Sequence, residues 1–390
     1  MLAFKLALKN LIGAGLRTWL TVFVLSLSFV LIIFQSGYLD GWNNQAKIDM
    51  TEWEVGGGEY WHNLYDPYDP FSLNDSHDKL PPELDKMYRE GLATPVLITQ
   101  GSVFPEGRMR SILLRGIDPA QQIIKLPSSL MEGDTSSTRA IIGTRMANIL
   151  KLGVNDQVTI RWRDSNGTFD ATDITIAGIF HTNVPAIDLN QIWIPIKKLG
   201  EMTSMEGQAT YVILKQGVTD FPTVPGWIHR GYDYLFKEID TIIKSKYIGI
   251  SVIYFILLSL ALLAVFDTQV LSIFRREKEI GTYIALGMTR WQVVRLFTIE
   301  GAMHAVFSVI VGAIWGTPFL ILMAEKGLGM PSAVEGYGLT IAERIYPVYA
   351  LGTIVIMAII VMVATTIVSF IPSRKIARMK PTEALRGKIS

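Results

Sequence analysis

Few residues in this chain could do chemistry, and their spacing argues against most of it. The five histidines (His62, His77, His181, His229 and His304) show no metal-ligand spacing. Cysteine is absent, which excludes disulfides and thiolate metal sites. No Gly-x-x-x-x-Gly-Lys-Ser/Thr loop is present to cradle a nucleotide phosphate. The lone Gly387-Lys388 is followed by Ile389 and has no strand before it. No Ser-His-Asp arrangement can be argued from spacing. No cofactor is expected in the chain, and without a phosphate-cradling loop it should not hydrolyse ATP itself.

Three sets of residues remain. Asp267 and Glu300, with His304 one turn further on, lie in otherwise apolar stretches. Carboxylates there are costly and often serve ion or proton movement. A proton relay is the sharper reading. The better supported one is pairing with Arg275, Arg276 and Arg295 near a membrane surface. The second set is the charged run Arg275, Arg276, Glu277, Lys278, Glu279, followed by Ile280-Gly281, then Ala285, Leu286 and a break at Gly287. A short charged helix of this kind can be pushed by a soluble partner. On spacing alone, an ordinary solvated loop accounts for it equally well. The third set is aromatic: Trp53, Tyr60, Trp61, Tyr65, Tyr68 and Phe71. These would grip a lipid, a cargo or a partner protein, although such clusters are more often small cores under loops.

The elements that must position these residues follow from hydropathy. Four apolar stretches, Leu16–Tyr38, Tyr247–Phe274, Leu296–Ala324 and Pro347–Ile371, each supply the roughly twenty residues a helix needs to cross a bilayer. The expected class is a membrane α-helical protein of four transmembrane helices, with a large mixed α/β extracytoplasmic domain inserted between helices 1 and 2. The expected divisions are a surface helix over 1–15, spans over 16–38, 247–274, 296–324 and 347–371, and an outer domain over 39–246. A cytoplasmic connection over 275–295, an outer loop over 325–346 and a tail over 372–390 complete the layout. The first span has too long an apolar core for a cleaved signal and reads as a retained anchor. Phe4, Leu8, Leu11 and Ile12 share one face of the surface helix, with Lys5 and Lys9 on another.

Charge sets the orientation. Lys5, Lys9 and Arg17 precede the first span, five basic residues lie between Arg275 and Arg295, and Arg374, Lys375, Arg378, Lys380, Arg386 and Lys388 follow the last. The positive-inside rule then puts both termini in the cytoplasm. Net charge is +1, so overall charge names no partner and no nucleic acid is expected.

Within the outer block, Asp49–Glu90 reads as irregular, with Gly56-Gly57-Gly58 and Asp66-Pro67 as turn signals. Beyond Thr94, strands are expected at Met109–Ile117, Ala140–Ile142, Gln157–Trp162, Asp173–Phe180, Gln191–Ile196 and Thr210–Lys215, and a helix at Thr144–Leu150. Two subdomains are expected. Tyr232–Lys246 reads as a helix continuous with the second span.

The run Arg276-Glu277-x-Glu279-Ile280-Gly281, then Ala285-x-Gly287, then Glu300-Gly301, resembles the coupling region of MacB/FtsX/LolC-type ABC transporter permeases. The opening residues Ala7–Ile12 with Leu16-Arg17-Thr18 are similar to that family's first helix. Ile371–Arg386 resembles its closing motif. Arg115–Pro119, Ile142–Ala147, Leu152–Asp156 and Ala177–Phe180 resemble the periplasmic domain of the lipoprotein-releasing permeases LolC and LolE. The resemblance implies a multi-pass protein of the bacterial inner membrane that pairs with a second permease, the same or related. It implies two copies of a cytoplasmic ABC ATPase, which bind ATP and magnesium and dock around Arg275–Gly287. The work expected is extraction of lipoproteins and their release to a periplasmic carrier. A MacB-like export permease with an adaptor and an FtsX-like regulator of a cell-wall hydrolase are the alternatives.

Overall fold

A computed structural model describes residues 15–133, 137–329 and 344–378. The surface helix expected over 1–15 lies, apart from Gly15, outside the described residues, as do 379–390 of the tail and 330–343 of the last loop. The chain divides into two compact units. One is drawn from the residues up to Trp42, Ile243–Leu328 and the residues from Arg344 on. The other is built on Asn43–Ile242. The first helix, α1 (Leu16–Met50), runs well past Tyr38. No proline interrupts Leu39–Met50, and Leu39, Trp42 and Ala46 are buried at helical spacing.

The second unit is a mixed sheet with short helices. In chain order its elements are β1 (Glu59–His62), β2 (Asp78–Lys79), α2 (Pro82–Arg89), β3 (Ala93–Val103), β4 (Arg110–Ile117), β5 (Thr138–Gly143) and α3 (Thr144–Leu150). There follow β6 (Gln157–Arg163), β7 (Phe169–Phe180), α4 (Pro185–Asp188), β8 (Gln191–Pro195), α5 (Ile196–Thr203), β9 (Gln208–Ala209), β10 (Tyr211–Leu214), β11 (Trp227–Arg230) and α6 (Tyr232–Leu235). Nine strands form one sheet in the order β11-β1-β10-β3-β4-β8-β5-β7-β6, and β3 also pairs with β6. That last pairing, Gly101–Val103 against Trp162–Ile160, closes six of the strands into a ring.

The two expected subdomains are therefore joined in one sheet. The reason is the length of β3: its first residues pair with β10 and its last with β4 and β6. Strand alternation sends neighbouring residues to different cores. Leu97, Ile142, Ile192 and Ile194 pack on one side with Met146 and Leu150 of α3. Val96, Ile98, Ile141 and Trp193 pack on the other, with Trp61 and Tyr211.

Two buried polar devices fix the unit. Asp188 accepts from the backbone N–H of Arg145 at 3.0 Å and from its guanidinium at 2.9 Å. It thereby satisfies the open N-terminus of α3 from a separate element. A Cβ on Gly143 would lie 1.7 Å from Asp188 Oδ1, so only glycine admits this contact. The second device gathers Glu54, Glu59 and Arg115. Arg115 Nη1 donates to Tyr211 Oη at 3.1 Å, and its guanidinium lies over the Trp193 ring at 5.3 Å. Trp61 Nε1 donates to the Glu59 carboxyl. Burial pushes Glu59 up from 4.5 to about 8, against the opposing Trp61 hydrogen bond, and raises Glu54 as well.

The first unit is helical. Its elements are α7 (Lys237–Arg275, which begins in the preceding unit), α8 (Glu277–Ala285), α9 (Arg290–Lys326) and α10 (Leu351–Ser373), with α1; β12 (Leu328–Gly329) and β13 (Arg344–Ile345) pair between α9 and α10. Four of the helices are long and apolar enough to cross a membrane. The helix expected to start at Tyr232 is broken at Phe236, whose N–H closes a turn on Tyr232 and Tyr234, and α7 starts at Lys237. Of the four apolar cores, 61% of that of α1 is buried, against 11–17% for the others, which makes α1 the enclosed helix. Gly312 and Gly316 of α9 admit it: a Cβ on Gly316 would lie 2.5 Å from Val30 Cγ2.

The Glu59 carboxyl gives a pH signature. Folded, it keeps a proton up to about pH 8 that the unfolded chain releases near 4.5. Its contribution to stability is therefore full below 4.5 and falls as pH rises toward 8. Glu59→Gln is expected to flatten that decline. Unfolding midpoints measured from pH 4.5 to 8 check this, and an unchanged slope in the variant refutes it.

Candidate functional site: the charged inter-helix segment

The charged run folds as a hinge between two long helices. Arg275 ends α7, Arg276 caps the start of α8, and α8 carries Glu277–Ala285. Leu286 and Gly287 close it, with Gly287 at φ +98, a conformation glycine adopts without strain. Thr289 then opens α9 through reciprocal bonds: its Oγ1 accepts from Gln292 N at 3.3 Å, and Gln292 Oε1 accepts from Thr289 N at 2.8 Å. The Thr289-x-x-Gln292 spacing is itself a sequence signal for this helix start.

Arg276 organises the segment. Its Nη1 donates to both oxygens of Glu300, at 2.8 and 2.9 Å, and its Nε donates to Glu279 at 2.7 Å. The guanidinium lies 4.8 Å over the Phe297 ring. Glu300, on α9, is buried. This geometry favours the pairing reading of the carboxylates over a proton relay; Asp267 is not free either. Beneath the charges, Ile280 packs with Ile273, Val293, Phe297 and Ile376, while Gly281 is buried on the same face. Arg290 Nη1 donates to the carbonyl of Ala377 at 3.2 Å, which ties in the residues after α10.

The opposite face is open. Arg275, Lys278, Glu279, Ala285, Leu286 and Gly287 are exposed, with Leu286 79% exposed and Trp291 61%. An apolar tip flanked by charges is the composition of a protein-docking ridge. Of the ten residues of this set, Arg276, Ile280 and Gly281 face inward, Glu277 is half-buried, and the rest face outward.

The aromatic set does not come together as a surface. Tyr60 and Trp61 sit in β1, inside the sheet, and both are buried. Trp53 stacks on Phe180 at 6.1 Å, and Tyr65 stacks on Tyr211 at 6.1 Å. Only Tyr68 and Phe71 are open, 76% and 78% exposed. The grip shrinks to these two because sheet pairing with β10 and β11 takes Tyr60 and Trp61 inside.

Comparison with known proteins bears on this segment directly. The family described as FtsX-like permease C-terminal matches residues 251–381, which span α8 and its anchors. The lipoprotein-releasing system transmembrane protein LolC of Neisseria meningitidis is 19% identical over 340 residues, covering 76% of this chain and 79% of the relative. The macrolide export ATP-binding/permease protein MacB of Wolinella succinogenes is 25% identical over 203 residues, covering 51% of this chain and 28% of the relative. These matches support an ABC transporter permease of the MacB/FtsX/LolC type. The extracellular domain of the noncanonic ABC-type transporter YknZ from Gram-positive bacteria is similar at 11% identity and TM-score 0.28, covering 42% of this chain and 84% of that one.

A permease of this type is a multi-pass protein of the bacterial inner membrane. It works with a partner ATPase and pairs with a permease.

The Arg276–Glu300 pair should show energetic coupling. Arg276→Ala removes the cation from a buried carboxylate and is expected to cost roughly 3–5 kcal/mol. Combining it with Glu300→Gln should recover much of that loss. A double-mutant cycle on unfolding midpoints of the detergent-solubilised chain measures it. Strictly additive effects would mean the pair holds nothing.

Proposed function

We propose that this chain is a non-catalytic permease subunit that extracts lipoproteins from the outer leaflet of the inner membrane and releases them to a periplasmic carrier. The observation that carries this reading is the extent of the LolC similarity, which runs through 76% of the chain, well beyond the C-terminal helices. The MacB similarity covers a shorter stretch, and that relative's name joins an ATP-binding function to the permease.

In this reading two ATPase subunits, carrying ATP and magnesium, dock on the exposed ridge at Lys278, Ala285, Leu286 and Trp291. Both termini and this ridge are cytoplasmic, and the mixed sheet unit is periplasmic. The outer domain over 39–246 receives the motion of the spans. Each acyl methylene withdrawn from the bilayer costs about 0.8 kcal/mol. Extraction therefore needs an energy-coupled step and an apolar space to receive the chains.

The absence of cysteine makes the topology directly testable. A single thiol introduced by Leu286→Cys should react with an impermeant maleimide only after the membrane is opened. One introduced by Asn166→Cys in the β6–β7 turn should react in intact spheroplasts. The reverse pattern removes the docking assignment.

Function is tested with the intact complex. Leu286→Glu, at an exposed position, should abolish copurification of the ATPase while leaving the chain folded. Release of lipoproteins from spheroplasts should fall to background. Lipoproteins released at the wild-type rate by this variant refute the docking ridge. Lipoproteins absent from the wild-type complex, with an adaptor or a cell-wall hydrolase in their place, refute the cargo.

A further inference from the structure

Within the helical unit, α7, α9 and α10 turn polar side chains toward one another. Gln269 of α7, His304 of α9, and Thr365 and Ser369 of α10 are buried, none more than 2% exposed. The contact is built around Gly301. A Cβ there would lie 2.3 Å from Ser369 Oγ and 2.7 Å from Gln269 Nε2, so two helices reach α9 at one position. The helices α9 and α10 run antiparallel: Phe297 packs with Ile376, Gly301 meets Ser369, and Ala305 packs with Val361. Thr365, one turn before Ser369, therefore stands level with the turn that carries His304.

The hydrogen-bond inventory does not close. His304 Nδ1 lies 3.1 Å from the carbonyl of Gly301. A carbonyl only accepts, so Nδ1 carries the proton and Nε2 is left as an acceptor. Gln269 Oε1 is a second acceptor, and the two hydroxyls each offer a donor and lone pairs. Among the described residues, none of these four atoms has a partner. Polar groups left so in a membrane bundle are costly.

We propose that these four side chains enclose ordered water, a hydrated site within the helix bundle. The fit is chemical. Water offers two O–H donors, which Gln269 Oε1 and His304 Nε2 accept, and two lone pairs for the Thr365 and Ser369 hydroxyls. A cation would leave both hydroxyl protons unmatched, and the neighbouring carboxylate, Glu300, is held by Arg276.

Radiolytic hydroxyl-radical labelling of the intact chain in lipid nanodiscs tests this, because bound water generates the radical in place. His304 should be oxidised at least about tenfold faster than Phe297, which is equally buried two turns earlier on α9. Equal rates would overturn the proposal. Thr365→Val supplies a second reading. In a hydrated site it removes a bonded hydroxyl and lowers the unfolding midpoint. In a dry site it removes an unsatisfied group, and a raised midpoint would count against the water.

Discussion

The helical unit depends on one arginine that faces inward. A helix as short as α8 has little stability of its own in water. Here it is fixed by Arg276, whose Nη1 donates to both oxygens of Glu300 while its Nε holds Glu279 and its face lies on Phe297. Lysine, a point charge, cannot make that set of contacts. In a solvated loop the charges would all point to water. Instead Arg276 is turned in and Leu286 is turned out, while Arg275, Lys278 and Glu279 stay exposed and Ile280 is buried.

The mixed-sheet unit is held together by another route. Its ring of strands closes only because β3 is long enough to pair with β10, β4 and β6 in turn. Polar groups buried against that sheet are matched to particular neighbours: Asp188 to α3, and Arg115 to Tyr211 and the Trp193 ring. Such contacts cost desolvation, and they specify one arrangement where apolar packing alone tolerates several.

Legibility in the sequence tracked the range of the interaction. Val158, Ile160 and Trp162 alternate with polar residues and were readable as a strand; β6 is Gln157–Arg163. The stretch around Tyr60 was not, because all four residues of β1 are buried and no alternation survives. Its partners β10 and β11 also lie far along the chain, so the pairing leaves no local trace. Hydropathy located four apolar helices and missed their ends, since ends are set by caps and hydrogen bonds. Thus α1 runs on to Met50, and α7 starts at Lys237. At the charged segment between α7 and α9 the residue types were readable. Which of two adjacent arginines turns inward was not, because that is decided by the phase of α7 and α8 against Glu300.

The contacts inside the helical unit also explain why a push on α8 would not dissipate there. Glu300 and Phe297 belong to α9, so α8 is held to the N-terminal part of that helix. Further along α9, Gly312 and Gly316 meet Phe29 and Val30, and Trp315 Nε1 donates to Ser26 Oγ at 3.2 Å, so α9 is joined to α1 at close backbone approach. Thr21 and Thr268 share a hydrogen bond of 2.9 Å, which joins α1 to α7. The loop of contacts α8–α9–α1–α7 runs through small residues, a buried ion pair and short hydrogen bonds. Glycine packing of this kind stiffens a membrane bundle by van der Waals contact, without the hydrophobic drive that holds a soluble core. A force applied at Leu286 therefore has only the helices themselves to move.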